Sequence, residues 1–183
     1  MRKETDLLIF SLIAAAVLIG IDQLIKFWAV GTLQEQGTIP FLHIGNFEIL
    51  DLTYLENNGA VFGSFSGMRW FLIGIVSIML ALCLWGMIHY RNRSKLLSVS
   101  LSLIFAGGVG NLIDRIFRNG LVIDYIEVKL FHFAIFNFAD CCVVIGIVLF
   151  IFYVLFVDTE KNKLNDKKAA DGSSEKEEIK ENA

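Results

Sequence analysis

The chain has 183 residues, 55% of them hydrophobic, with one proline and a formal net charge of −3. That is too apolar for a water-soluble domain of this length, so a cytosolic enzyme is excluded and a membrane protein expected. The charge says little about partners, because the acids gather in one segment between helices and in the C-terminal tail.

Four apolar runs, residues 7–30, 70–90, 96–115 and 135–157, each approach the ~20 residues that an α-helix needs to cross the hydrocarbon core. The first follows Arg2 and Lys3, as a cleaved leader would. Its length, the charges Asp22 and Lys26 inside it and the lack of a small-residue cleavage site after it favour a retained helix. Arg91, Arg93 and Lys95 fill the link between helices 2 and 3, whereas residues 31–68 hold no Lys or Arg, only Glu35, Glu48, Asp51 and Glu56. By the positive-inside rule both termini and the 91–95 link face the cytoplasm, and segments 31–68 and 116–134 face outward.

In helix 1, Asp22 and Lys26 form an i,i+4 pair toward the outer third, a structural ion pair that is equally placed to organise a polar site. Residues 31–68 are too long for a plain connection. Residues 41–44 and 47–55 are aliphatic and aromatic, and Gly45-Asn46 between them suits a tight turn, which predicts a small β-hairpin on the membrane surface. It runs into Glu56-Asn57-Asn58-Gly59-Ala60-Val61-Phe62-Gly63, either an ordinary loop or a lip whose amides bind an extended peptide. Gly63-Ser64-Phe65-Ser66-Gly67 is not a serine-nucleophile elbow, because Phe65 stands where the serine belongs. His43 and His132 lack a metal-ligand spacing, and Cys83, Cys141 and Cys142 form no Cys-x-x-Cys, so all five read as packing or interfacial residues.

Helix 2 has nothing ionisable except His89 and reads as scaffold. Helix 3 contains Ala106-Gly107-Gly108-Val109-Gly110-Asn111, where small residues let a neighbour approach and Asn111 can bond across the interface. Asp114 and Arg115 then read as an adjacent structural pair closing the helix. From residue 158 onward there are eight acids, six lysines and no aromatic residue, the composition of a disordered tail without catalytic content.

Four acids can reach the outer end of the bundle: Asp22, Asp114, Asp124 and Asp140. Lys26 and Arg115 supply local cations to the first two. Asp124, in the loop before helix 4, and Asp140, at the outer start of that helix, have none within three positions. If brought together they cannot both ionise and would share a proton, as an aspartic-protease pair does. Spacing alone leaves open that Asp140 merely caps helix 4 and that Asp124 is a solvated loop acid. A small proton- or cation-coupled transporter is the alternative of a different class, although the polar residues cluster on one side of the membrane instead of tracing a path across it.

Five stretches together resemble the bacterial lipoprotein signal peptidases, signal peptidase II: Asp22-Gln23-x-x-Lys26, Asn57-x-Gly59-Ala60-x-Phe62, Gly110-Asn111-x-x-Asp114-Arg115, Val122-x-Asp124-Tyr125-Ile126 and Phe136-Asn137-x-Ala139-Asp140. They occur in order from helix 1 to helix 4 and omit the tail. The resemblance implies a membrane all-α fold of four transmembrane helices with a small β-cradle between helices 1 and 2, a membrane peptidase domain over 1–157 and a tail over 158–183. It implies an aspartyl endopeptidase of the bacterial cytoplasmic membrane with its active site at the outer leaflet. Such an enzyme cuts diacylglyceryl-modified prolipoproteins before the lipidated cysteine. Carried over by motif, Asp124 and Asp140 are the catalytic pair, Asn57, Gly59, Asn111, Arg115 and Asn137 line the site, and Asp22, Lys26 and Asp114 support it. Implied partners are the prolipoprotein and membrane lipid, with no metal, cofactor or nucleic acid, and a monomeric state. Asn58 could take the place of Asn57 in a shifted loop, and Val61 stands where the family often has alanine.

Overall fold

The computed structural model describes residues 2–45, 47–59, 65–91 and 93–159. Of the disordered tail expected from residue 158, Asp158 and Thr159 instead continue the helix, and residues 160–183, like the second half of the 56–63 lip, lie outside the described residues. Four helices, α1 (Arg2–Gln36), α2 (Arg69–His89), α3 (Lys95–Phe117) and α4 (Phe138–Phe152), carry the fold, and α4 continues as a π-helical segment over Tyr153–Asp158. Each contains a stretch long and apolar enough to cross a membrane. Their outward side chains suit lipid: Leu24, Phe27, Trp70 and Ile78 are exposed, while Asp22, Lys26 and Asp114 are buried. α1 runs six residues beyond the apolar stretch and stops at Gly37, whose φ of +76° and N–H to the Leu33 carbonyl (3.0 Å) form a left-handed cap.

α3 is the central helix and packs on all three others, with α4 its main partner. In its most apolar stretch 44% of residues are buried, against 17% in α1 and α4, which fits a helix surrounded by protein instead of lipid. Close packing comes from missing side chains. A Cβ on Gly107 would collide with the Ala139 carbonyl oxygen of α4, and one on Gly146 of α4 would lie 2.8 Å from the Ser100 carbonyl oxygen of α3. Ser98, Ser100 and Ser102 are buried on α3, yet each hydroxyl donates to a carbonyl one turn back, at 3.2, 2.8 and 2.7 Å. Their hydrogen-bonding capacity is therefore met within the helix, at little cost to burial.

The hairpin expected around Gly45 is present, as β1 (Ile39–Ile44) and β2 (Phe47–Asn57). A third strand, β3 (Val122–Val128), arrives from the α3–α4 connection and pairs antiparallel with β2, in the order β1-β2-β3. Asp124 is therefore a strand residue opposite Leu55, not a loop acid. The two faces of β3 do different work. Ile123 and Tyr125 pack on Ala29 and Leu33 of α1, whereas Val122 and Asp124 line a cavity on the other face. α4 begins at Phe138, three residues later than the apolar run, because Phe136 is extended and bridges to Ile126 of β3.

Candidate active site

The polar residues singled out in the sequence converge at the sheet end of the bundle, in two linked groups. In the first, Lys26 is fully buried and its ammonium meets Asp22 at 3.0 Å, Asp114 at 2.9 Å and the Asn111 side-chain oxygen at 2.9 Å. Three N–H groups thus meet three acceptors. Asp22 also accepts the Ala139 N–H at 3.1 Å, which ties α1 to the first turn of α4. The pairing of Asp114 with its neighbour Arg115 is corrected. Asp114 is held by Lys26, by Arg118 at 3.2 Å and by the Ile123 N–H at 3.3 Å. Adjacent helix residues point about 100° apart, so Arg118, one turn on, is the residue that reaches it. Arg115 instead donates to main-chain oxygens, Asn111 at 3.2 Å and Gly59 at 2.9 Å, and so fastens the lip to α3.

The second group holds Asp124 and Asp140. Asn137 caps α4: its side-chain oxygen accepts the Asp140 N–H at 3.0 Å, and Asp140 Oδ2 accepts the Asn137 N–H at 3.0 Å. Asp140 is indeed a capping residue, and the capping box leaves its other oxygen for the Asn111 amide at 2.7 Å. The Asn137 amide also donates to Asp124 Oδ1 at 2.7 Å and to Asn111 Oδ1 at 3.0 Å. Asn57, at the end of β2, gives its amide to Asp124 Oδ2 at 2.9 Å and takes the Gly59 N–H at 3.0 Å. Of the two adjacent asparagines Asn57 is thus the one that reaches Asp124, whereas Asn58 accepts from the Ser66 hydroxyl at 2.7 Å.

Both carboxylates are thus surrounded by amides. Among the described residues neither has a Lys or Arg within ion-pair distance. Burial pushes the Asp124 carboxyl up to about 7, and the nearby Asp140 charge adds to this against the opposing hydrogen bonds from Asn57 and Asn137. A carboxylic acid so placed is part protonated at neutral pH and can serve as a proton donor or acceptor. Asp124 and Asp140 both line a cavity of about 550 Å³ with Asn57, Asn111 and Arg115, floored by apolar residues of α4 and the 133–136 stretch. His43 and His132 join no cluster of this kind, and among the described residues no three His, Cys, Asp or Glu side chains gather as metal ligands would.

Sequence reasoning passed over three supports. Arg69, at the start of α2, donates to the carbonyls of Arg115 at 3.1 Å and Ile116 at 2.8 Å, joining α2 to the end of α3. The Tyr125 hydroxyl accepts the Phe138 N–H at 3.1 Å. Arg118 was the one with a readable signal, its i,i+4 spacing from Asp114.

The model for "Signal peptidase (SPase) II" matches residues 14–156. A lipoprotein signal peptidase of Clostridium acetobutylicum is 38% identical over 154 residues, covering 82% of this chain and 97% of that protein. One from Clostridioides difficile is 36% identical over 146 residues, covering 79% and 93%. Among solved structures, a bacterial membrane enzyme determined by the in meso method is 32% identical, superposes with a TM-score of 0.72 and covers 83% of this chain and 91% of its own.

Proposed function

The chain belongs to the signal peptidase II family, and from that premise we propose that it cleaves prolipoproteins ahead of a diacylglyceryl-modified cysteine, with Asp124 and Asp140 as an aspartyl pair. The observation that carries the reading is Asn137, whose side-chain amide donates to Asp124 Oδ1 and whose main-chain N–H donates to Asp140 Oδ2, so that one residue holds both carboxylates at the wall of one cavity. In the reaction one member of the pair is ionised and takes a proton from a water molecule, whose oxygen attacks the scissile carbonyl carbon. The other is protonated and donates to the carbonyl oxygen, giving a neutral tetrahedral diol. Return of a proton to the leaving nitrogen breaks the C–N bond.

Asn57, Asn111 and Asn137 orient the pair by donating their side-chain N–H groups to its carboxyl oxygens. Gly59, with its carbonyl on Arg115 and its N–H on Asn57, places the lip beside the pair. Asp22, Lys26 and Asp114 support the site from below. The placement of Arg2, Lys3 and the 91–95 link at the other end of the helices supports an orientation with both termini in the cytoplasm and the sheet at the outer leaflet. Lipid surrounds the catalytic unit, residues 1–157, which we take to act as a monomer. Neither the family nor the one-sided polar residues support a coupled transporter.

The decisive experiment is cleavage of a lipidated precursor by purified Asp124→Asn and Asp140→Asn proteins. Each should lose at least ~10³-fold in rate, in line with removal of a general acid or base, while inserting and purifying normally. Cleavage retained by either variant at near wild-type rate would end the aspartyl reading.

A further inference from the structure

A second cavity, of about 560 Å³, meets the first at Asn111, Arg115 and Asp140 but runs away from the sheet. Its floor is a single stripe of α3 from Leu101 through Ile104 and Gly108 to Arg115, and its walls are α2 and α4, which both pack on α3 and scarcely touch each other. Apart from the three polar residues at its head, every lining side chain is apolar or sulfur-bearing. Ile75, Met79 and Leu82 on one wall and Ile147 on the other are exposed, so the groove is open sideways to the lipid.

Its proportions restrict what can occupy it. From Leu101 to Arg115 the groove follows roughly 21 Å of helix, a long apolar track with a volume of about 560 Å³. Such a track, open to lipid along one side, suits an extended hydrocarbon chain. The other cavity is the reverse. It lies against β3, holds Asn57 and Asp124 at its mouth and extends along α4 only to Ile145, which is roughly 8 Å past Asp140.

We propose that the α2–α4 groove is the subsite for one acyl chain of the substrate's diacylglyceryl group, while the peptide lies across the cavity beneath β3. This rests on the peptidase reading above. The lipidated cysteine directly follows the scissile bond, so its acyl chains must leave the dyad within a side chain's length, and this groove starts there. The chain enters from the bilayer through the open side and does not thread from the water. Chain length then becomes a specificity determinant, because each methylene buried along the stripe adds to binding.

The test uses the full-length protein in detergent and two synthetic precursors that differ only in their acyl chains, dihexanoyl and dipalmitoyl. Wild-type protein should cleave both and favour the longer chains in kcat/KM. Ile147→Trp blocks the groove roughly 10 Å beyond Asp140, and should lower the ratio of dipalmitoyl to dihexanoyl kcat/KM at least tenfold, mainly through KM. Met79→Trp blocks it from the facing wall and should do the same, which covers the event that one tryptophan fails to fold. Val148→Trp, on α4 but outside both cavities, should leave the ratio as it is. The proposal is overturned if both groove variants keep the wild-type ratio, or if Ile145→Trp in the other cavity collapses it instead. Failure of the peptidase reading would show separately, as wild-type protein that cleaves neither precursor.

Discussion

Two groups of carboxylates, buried except for the half-buried Asp140, sit side by side at the sheet end of this bundle, joined by Asn111, and they are held by opposite means. Asp22 and Asp114 face the Lys26 ammonium at 3.0 and 2.9 Å, with Arg118 as a second cation for Asp114. Asp124 and Asp140 face the amides of Asn57, Asn111 and Asn137. A cation within 3 Å ties a carboxylate into an ion pair, which suits a structural anchor. A neutral amide holds it in position without an opposing charge. The same residue type is thus held by charge in one group and by neutral donors in the other, the difference on which the proposed division into anchors and proton carriers rests.

The contrast can be broken from the cation side first. Lys26→Met should leave Asp22 without a cation and Asp114 with Arg118 alone, and cost about 3–5 kcal/mol, enough to remove folded protein from the membrane fraction. Asp124→Asn should by comparison leave thermal unfolding in detergent unchanged or raise the midpoint, since it replaces an acid that burial penalises with an amide. If the two variants were equally destabilised, the division into anchor and proton carrier would not hold. Next in size is Gly110→Ala, whose Cβ would come within 2.5 Å of Asp22 Oδ2 and 3.3 Å of the Ala139 side chain. Overpacking at such a site costs about 1–3 kcal/mol, readable as a lower midpoint with the pH profile unchanged in shape.

A smaller effect sharpens the reactive side. With Asp124 pushed up to about 7, the protonated member of the pair is present below that pH and lost above it, so cleavage should decline on the alkaline limb with a midpoint near 7. The Asn57 amide favours the ionised form, and Asn57→Ala removes it. The limb should therefore move to higher pH by up to about one unit, together with a lower maximum rate. A limb that moved to lower pH would contradict the role given to Asn57. Smallest of all, truncation after residue 157 should leave kcat/KM on a lipidated precursor within about twofold, since the catalytic unit we propose ends there.

The helices were readable because a bilayer demands ~20 apolar residues, and the hairpin because Gly45, at φ +61°, marks its turn. β3 was not readable. Its pairing partner lies about 70 residues away in sequence, and burial on both faces erases the alternation that announces a strand, since Val122, Ile123, Asp124 and Tyr125 are all buried. The start of α4 was misplaced for a related reason: Phe136 is apolar like a helix residue, but it spends its backbone on Ile126. In the site, the absence of cations beside Asp124 and Asp140 was legible, and so was the Asp22–Lys26 pair. The third partner of Lys26 was not, because Asp114 comes from another helix 88 positions away. No spacing rule reaches that far.

Asn137 uses its main-chain N–H and both polar atoms of its side chain, starting α4 with the N–H and the side-chain oxygen and holding Asp124 and Asn111 with the side-chain nitrogen. Heredity meets an unusual constraint there. In most enzymes a lineage can exchange a little durability for speed by altering residues that serve one end or the other. At this position the two ends share one short side chain, so a substitution that removes the amide loosens the helix start and frees Asp124 together, and selection for either favours keeping it.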